Sequence, residues 1–545
     1  MAASSPTAFV RSAGGQERRV RRGLDASLSD MVASPVDTVE RLDAPARIAR
    51  LSYTQSVWLF IGVALVARMI CAAVLPLATD ETLYWRYSKH LAAGYLDHPV
   101  MNPTLVRLGT LLFGDTSLGV RFFPVLLGLP ASWAVWRAGA ALFSNERIGA
   151  TAALFFNLTL VMSVGSMIAT SDASVVVTSS FLLLSLAKLI ETRDGRWWLA
   201  VGAAFGLGMI SKYTTFFFAG GIFVWLAATP AERKWLATPW PYLAGAIALA
   251  IFSPVLVWNA EHHWASAVYQ SSRMIVRQWT LRYAVELLGA QVGLATPSIF
   301  ALACIGFAAS AKGGPRSSWT LLAALVALPL SYFVWHSLHE RVQANWPECV
   351  YPALACAAAA AANARLGRIG AWARASALPV GAALAAIAYA QMLFHIVPLS
   401  VKDPTARALT GGWQTIAAQI DARRHDLGAP VVLTTDYSTA SMLAYYLPSH
   451  PSVQQISDRV RWVSEPQPDA ALFHGPMLYV CRNKCGRVYL LPRRFGHVAF
   501  VTTVERRQGA RVIDRYSLYL LRNPIGPVLD PLYPIRLKGV DDDYL

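Results

Sequence analysis

The stretch LATDETLYWRYSKHLAAGYLDHPVMNPTLVRLG, residues 77–109, decides the fold by what stands before it. It continues directly from QSVWLFIGVALVARMICAAVLPLA (55–78), a run with the length and composition of a membrane-spanning helix. A connector between two spans needs only a few polar residues. This one presents Asp80, Glu81, Arg86, Lys89, Asp97 and His98 among tyrosines and a tryptophan. Ionisable groups at a membrane boundary are costly, which makes them functional candidates by default.

The rest of the chain has the same character. Of its 545 residues 55% are hydrophobic and only 15% charged, where soluble domains average about a quarter charged. Apolar runs at 55–78, 120–142, 148–168, 173–190, 197–210, 214–229, 240–258, 283–310, 318–337, 349–363 and 376–397 give about 11 transmembrane helices. The connectors SNER (144–147), ETRDGR (191–196), AERK (231–234), KGGPR (312–316) and ARLGRIGAWAR (364–374) all carry Arg or Lys. The positive-inside rule places them, and the N-terminus, in the cytoplasm. The net charge of +16 is spread over such clusters, which argues against nucleic acid as a partner.

Three regions follow. Residues 1–50 hold eight arginines and no lysine, without apolar periodicity, and read as a disordered cytoplasmic tail. No apolar core with a cleavage site lies early in the chain, so the first span is expected to be an uncleaved anchor. Residues 51–398 form the transmembrane domain with its outer loops. Residues 399–545 change character: strand-like VVLTTD (431–436) and LYLL (518–521) alternate with helical GWQTIAAQI (412–420) and STASMLAYYL (438–447). An odd number of spans puts this part outside, as a C-terminal periplasmic α/β domain. Cys71, Cys304, Cys349 and Cys356 lie in or beside apolar runs and suit small core positions. Cys481 and Cys485 sit in a polar region, where a disulfide and two free thiols are both open.

The outer loops hold the residues that break the membrane pattern: the 79–119 loop, ATSDAS (169–174), SKYTT (211–215), the 259–282 loop and HERVQANWPE (339–348). Arg86, Lys89, Lys212, Arg273, Arg277, Arg282 and Arg341 are cations without a topological purpose on that side. A carboxylate held there beside bases suits general-base work. Each candidate also has a plainer reading. Asp80 would cap the helix ETLYWRYSKHL, with Tyr84 and Tyr87 on one face, Asp97-His98-Pro99 would make a turn, and Asp172 would cap the next span. Lys212 and Tyr213 would anchor in the headgroup zone. His262 and His263 are adjacent and have no third ligand at zinc spacing, so a divalent metal is not indicated and no cofactor is implied.

Taken together and in order, DETLYW, GYLDHP, FGDTSLGVR, SKYTT, WNAEHHWAS and QANWPE resemble the bacterial branch of the protein O-mannosyltransferase superfamily, over about residues 55–450. These are glycosyltransferases of the GT-C fold, and they include enzymes that add aminoarabinose or galacturonic acid to lipid A. The resemblance implies a polytopic α-helical membrane protein with an active site at the outer face of the bacterial inner membrane. It implies inverting sugar transfer from a polyprenyl-phosphate donor to a lipid, glycolipid (lipid A or core lipopolysaccharide) or protein acceptor. Asp80 matches the favoured general base, with Glu81 beside it, Asp97 the second acid of the loop, and Asp172 the acid opening a later span. Lys212 matches the Ser-Lys motif that contacts donor phosphate. Tyr84, His98, Tyr213, His263, Arg273, Arg277 and Arg341 complete the expected substrate-binding set. Two other classes carry cavity charges or an outer domain: a transporter or flippase of a lipid-linked saccharide, and a scaffold. The first lacks the expected inverted repeats, and the second leaves the charged loops unexplained.

Overall fold

The computed structural model describes residues 51–274, 279–311, 316–397, 411–482 and 488–533. The expected tail at 1–50, most of KGGPR, Arg277 and Cys485 lie outside the described residues. The described residues from Ser52 onward form one compact unit. It opens with α1 (Tyr53–Val74), whose start is fixed by a reciprocal cap between Ser52 and Gln55. Then come α2 (Thr79–Lys89), α3 (Met101–Phe113), α4 (Ser117–Leu126), α5 (Gly128–Phe143), α6 (Glu146–Leu158), α7 (Leu160–Ser163), α8 (Ser171–Thr192), α9 (Trp197–Met209) and α10 (Phe217–Ala228). The helical part continues through α11 (Pro230–Arg233), α12 (Trp240–Glu261), α13 (Ala265–Ser272), α14 (Arg282–Leu294), α15 (Pro297–Ala311), α16 (Ser317–Ser337), α17 (Tyr351–Ala362) and α18 (Arg368–Phe394).

Among the described residues, six helices are long and apolar enough to cross a membrane, or up to nine if three bent pairs each count as one, beside the eleven expected from run length. The runs at 197–210 and 349–363 fold as helices of 13 and 12 residues, only about 20 Å of rise each. Helix α17 is buried along its whole length, its alanines admitting α15, α6 and α5 at close range. The bent pairs α6/α7 and α14/α15 turn by 66° and 104°. Thr296 stands at φ +68° just before Pro297, and its Oγ1 donates to the Leu158 carbonyl at 2.8 Å. One helix break thus satisfies a carbonyl freed by the other.

The C-terminal part holds α19 (Trp413–Asp426), β1 (Val431–Thr434), α20 (Tyr437–Tyr446), β2 (Ser452–Gln455), β3 (Met477–Arg482), β4 (Phe495–Gln508) and β5 (Arg511–Pro524). The sheet order is β2-β1-β3-β5-β4, parallel from β2 to β3 and antiparallel beyond. The strand and helix stretches read from the sequence are all present. Cys481 takes part in a disulfide, while Cys71, Cys304, Cys349 and Cys356 are free. A single apolar core runs from α2 into the sheet, joining Leu83, Tyr84, Trp85 and Tyr87 to Trp413, Met442, Leu443 and Trp462. Burying each such side chain contributes roughly 1.5–3 kcal/mol. The sheet portion is therefore packed onto the loop that follows α1.

Candidate active site

The adjacent acids Asp80 and Glu81 have opposite surroundings. Helix α2 begins at Thr79, and its N-cap residue, Ala78, has no capping side chain. Glu81 supplies that function from the third position: its Oε2 accepts from the Ala78 N–H at 2.8 Å. The same carboxylate receives Arg121 at 2.6 Å on both oxygens and the Ala169 N–H at 2.9 Å. Arg121 also donates to the carbonyls of Leu75 and Pro76. Glu81 is fully buried and fully engaged.

Asp80, one residue earlier, makes no hydrogen bond or ion pair among the described residues. Its carboxylate is open to solvent although protein surrounds it, so it lies in a recess. Desolvation, then the charges of Asp97, Asp172 and Glu81, raise its pKa to about 6, with Arg461 opposing. Asp80 does not cap α2. It is a free, half-basic carboxylate.

The other two acids are paired. Asp97 accepts from the Tyr87 hydroxyl at 2.9 Å and is ion-paired with Arg461, which follows β2 in the C-terminal part. Burial alone would raise Asp97, but the Arg461 charge and hydrogen bond, helped by His98 and Tyr87, hold it below the usual carboxylate range. Asp172 lies in the first turn of α8, pairs with buried Lys212, and accepts from Asn345 Nδ2 at 2.8 Å. Lys212 is therefore not a headgroup anchor. Burial, then the neighbouring Lys212 charge, lower His98 to about 4, so its ring is neutral at physiological pH.

The loop bearing Asp97 and His98 is tightly held. A bridge joins Gly94 and Pro99, and Tyr95 stacks on Tyr87 with centroids 4.2 Å apart. Ser266 Oγ donates to the Tyr95 carbonyl and Gln270 Nε2 to the Asp97 carbonyl, each at 2.7 Å. A side chain at Gly94 would strike the Trp258 ring, its Cβ falling 2.7 Å from it.

The structure brings together Asp80, Tyr84, Asp97, His98, Asp172, Lys212 and Arg273. Tyr84 sits beside Ser171, its ring 6.2 Å from that of His98. Arg273 donates to the Tyr269 hydroxyl at 2.8 Å, lies over Trp346, and its charge reaches His98. Tyr213 borders the same region beside Asn259 and Ser266. Arg341 is instead an exposed cation paired with Glu286, and His263 is exposed against Tyr533. Four neighbours, Asn345 among them, were not singled out from the sequence. Arg461 is buried, with its guanidinium 4.3 Å from the Tyr437 ring. The Tyr437 hydroxyl is held above its usual range first by the Asp80 charge and then by burial. Glu348 is a buried carboxyl with no side-chain hydrogen bond or ion pair among the described residues, and desolvation, then the Asp172 charge, push its pKa well above the usual carboxylate value, with Lys212 opposing. Asn345 and Glu348 lie inside the QANWPE motif, a usable signal; Arg461 and Tyr437 had none. Among the described residues, no group of three or more His, Cys, Asp or Glu side chains is placed to hold a metal ion.

A recess with the solvent-open Asp80 carboxylate, unpaired among the described residues, and two buried acid–cation pairs, set where membrane helices meet a small sheet, defines a class of membrane protein rather than a single activity. Residues 97–258 match the model of the dolichyl-phosphate-mannose-protein mannosyltransferase family. Two solved structures share the fold. ArnT from Cupriavidus metallidurans bound to undecaprenyl phosphate is 18% identical, covering 88% of this chain and all of that one, at a TM-score of 0.60. The apo form of the same protein is 17% identical, covering 88% and 99%, at 0.58. No curated protein matches by sequence. The chain thus shares the fold of ArnT, and its residues 97–258 are similar to the dolichyl-phosphate-mannose-protein mannosyltransferase family.

Proposed function

We propose that this chain is an inverting glycosyltransferase that moves a sugar from a polyprenyl-phosphate donor to a cell-envelope acceptor at the periplasmic face of the bacterial inner membrane. The observation that carries the reading is Asp80: a carboxylate reachable by solvent and unpaired among the described residues, near the Asp97–Arg461 and Asp172–Lys212 pairs. Its pKa of about 6 suits a general base at neutral pH. Asp80 takes the proton of an acceptor hydroxyl, and the oxygen attacks the anomeric carbon from the face opposite the phosphate. The sugar–phosphate C–O bond breaks with its electron pair passing to the polyprenyl phosphate. Lys212 and Arg273 stabilise the charge that develops there. Glu81 serves by fixing the entry of α2, not by moving protons. The undecaprenyl phosphate named for the similar ArnT structure supports the donor class. Acceptor candidates are lipid A or core lipopolysaccharide, another lipid, and protein.

We read 51–398 as the catalytic membrane domain and 399–545 as a periplasmic domain, with an odd number of spans between the ends. The test is mass spectrometry of lipid A and of extracted polyprenyl phosphates from a deletion strain. Loss of one envelope sugar with accumulation of its polyprenyl-phosphate form is expected. Envelope sugars and polyprenyl phosphates both unchanged in the deletion strain would overturn the assignment, and accumulation of the donor with full transfer activity retained in deletion-strain membranes given that donor would assign the chain to transport instead.

A further inference from the structure

The C-terminal sheet portion reaches the site through one short segment. After β2, residues Arg459–Trp462 make a tight 3-10 turn. Successive side chains in such a turn point about 120° apart, so neighbours in sequence can serve different partners. Trp462 lies under Arg86 of α2, whose guanidinium is 4.0 Å from the ring centroid. Arg86 also grips Glu465 through two hydrogen bonds of 2.6 and 2.7 Å and donates to the Val453 carbonyl at 3.0 Å. Trp462 is held from behind by Gln455 at 3.0 Å. With Trp462 fixed, Arg461 points to Asp97, between the rings of Tyr437 and Tyr269.

We propose that Arg461 is a positioning residue for Asp97 and Asp80, delivered by the Arg86–Glu465–Trp462 clamp, so that the site is complete only with the sheet portion docked on α2. The proposal rests on the glycosyl-transfer reading for its kinetic consequence. Asp97 is faced by Arg461, His98 and the hydroxyl of Tyr87. Asp80 is faced by Asp97, Asp172, Glu81 and Arg461, with Tyr84 and Tyr437 nearby. Arg461 lowers the proton affinity of both acids. Without it, neighbouring carboxylates would share a site with less compensation, and proton affinity would rise.

The test uses the purified full-length chain and its Arg461→Gln, Arg461→Lys and Glu465→Gln variants. The donor probe is the polyprenyl-phosphate-sugar fraction of the source cells, with envelope lipid of a deletion strain as acceptor. In Arg461→Gln the acid limb of the rate profile should move up by about one pH unit or more. Arg461→Lys should keep the limb in place, and Glu465→Gln should move it the same way by less. A limb that stays put in Arg461→Gln while only rate or stability falls overturns the proposal. If that variant does not fold, an unmoved limb in Glu465→Gln does so. If the wild-type chain releases no polyprenyl phosphate, the glycosyltransferase reading has failed, and Arg461 is judged by thermal unfolding. The Tm gap between wild type and Arg461→Gln, or Glu465→Gln if that variant is unfolded, should narrow from pH 7 to pH 3, because the pair exists only while Asp97 is ionised. A gap independent of pH would overturn it.

Discussion

Asp80 and Glu81 are chemically near-identical neighbours, and only their surroundings divide the work between them. Asp80→Asn removes the proposed base while leaving intact every side-chain contact seen among the described residues, since Asp80 makes none there. Turnover should fall by roughly 10²–10⁴, measured with purified protein on a polyprenyl-phosphate-sugar donor. The same variant should melt higher at pH 8. The folded-state pKa of Asp80, about 6, lies above the ordinary aspartate value of 3.8. Its ionised form therefore opposes folding above pH 6, less so as pH falls, and not at all below about 3.8. The gain should shrink at pH 5. Wild-type rate should rise with pH through about 6 for the same reason. Glu81→Gln behaves oppositely: it breaks a buried bidentate pair with Arg121, a loss of roughly 3–5 kcal/mol, readable as a fall in Tm. The acid pair itself was legible in the sequence, as was Lys212. The division of labour was not, because Glu81 is fixed by Arg121 and Ala169, forty and more positions away.

At the scale of elements, run length located the membrane helices but not their bends. The run at 148–168 has no proline, and its bend falls after Leu158, where Thr159 caps the next helix through its side chain. The run at 283–310 did hold a signal, Thr296-Pro297, since a residue before proline is turned away from helix. Thr296→Val removes the hydroxyl that reaches the Leu158 carbonyl. It should lower stability by about 1 kcal/mol, seen as a reduced Tm in detergent. An unchanged Tm would mean the two breaks stand independently. Helix α17 was legible as apolar but not as central: alanine repeats look alike on a lipid face and between helices, and only packing against α15, α6 and α5 distinguishes them.

For the whole molecule, the basic connectors predict that reporters fused after residues 193 and 450 lie on opposite sides of the membrane. Matching sides would defeat the odd-span arrangement. Lys212→Ala should weaken use of the lipid-phosphate donor, since a charge-assisted hydrogen bond to phosphate contributes roughly 1.5–3 kcal/mol. Donor KM and turnover both unchanged would assign Lys212 to holding Asp172 alone. The helical membrane class and the strands of the C-terminal part were readable from periodicity. The joining of the two parts was not. Arg461 meets Asp97 across 364 positions, and no local pattern marks one arginine of SDRVRW as belonging to a site built at the other end of the chain.

The loop from Gly94 to Pro99 is closed by its own bridge and gripped from Ser266 and Gln270 before any ligand arrives. Ordering a backbone residue costs roughly 1–2 kcal/mol in conformational entropy, and here contacts within the chain itself supply that ordering. Asp97 and His98 therefore meet an incoming molecule as a mould rather than as a closing hand. On the glycosyl-transfer reading, discrimination among sugars then falls to stereochemistry at first contact, and amide hydrogen exchange across this loop should be as slow before substrate as after it.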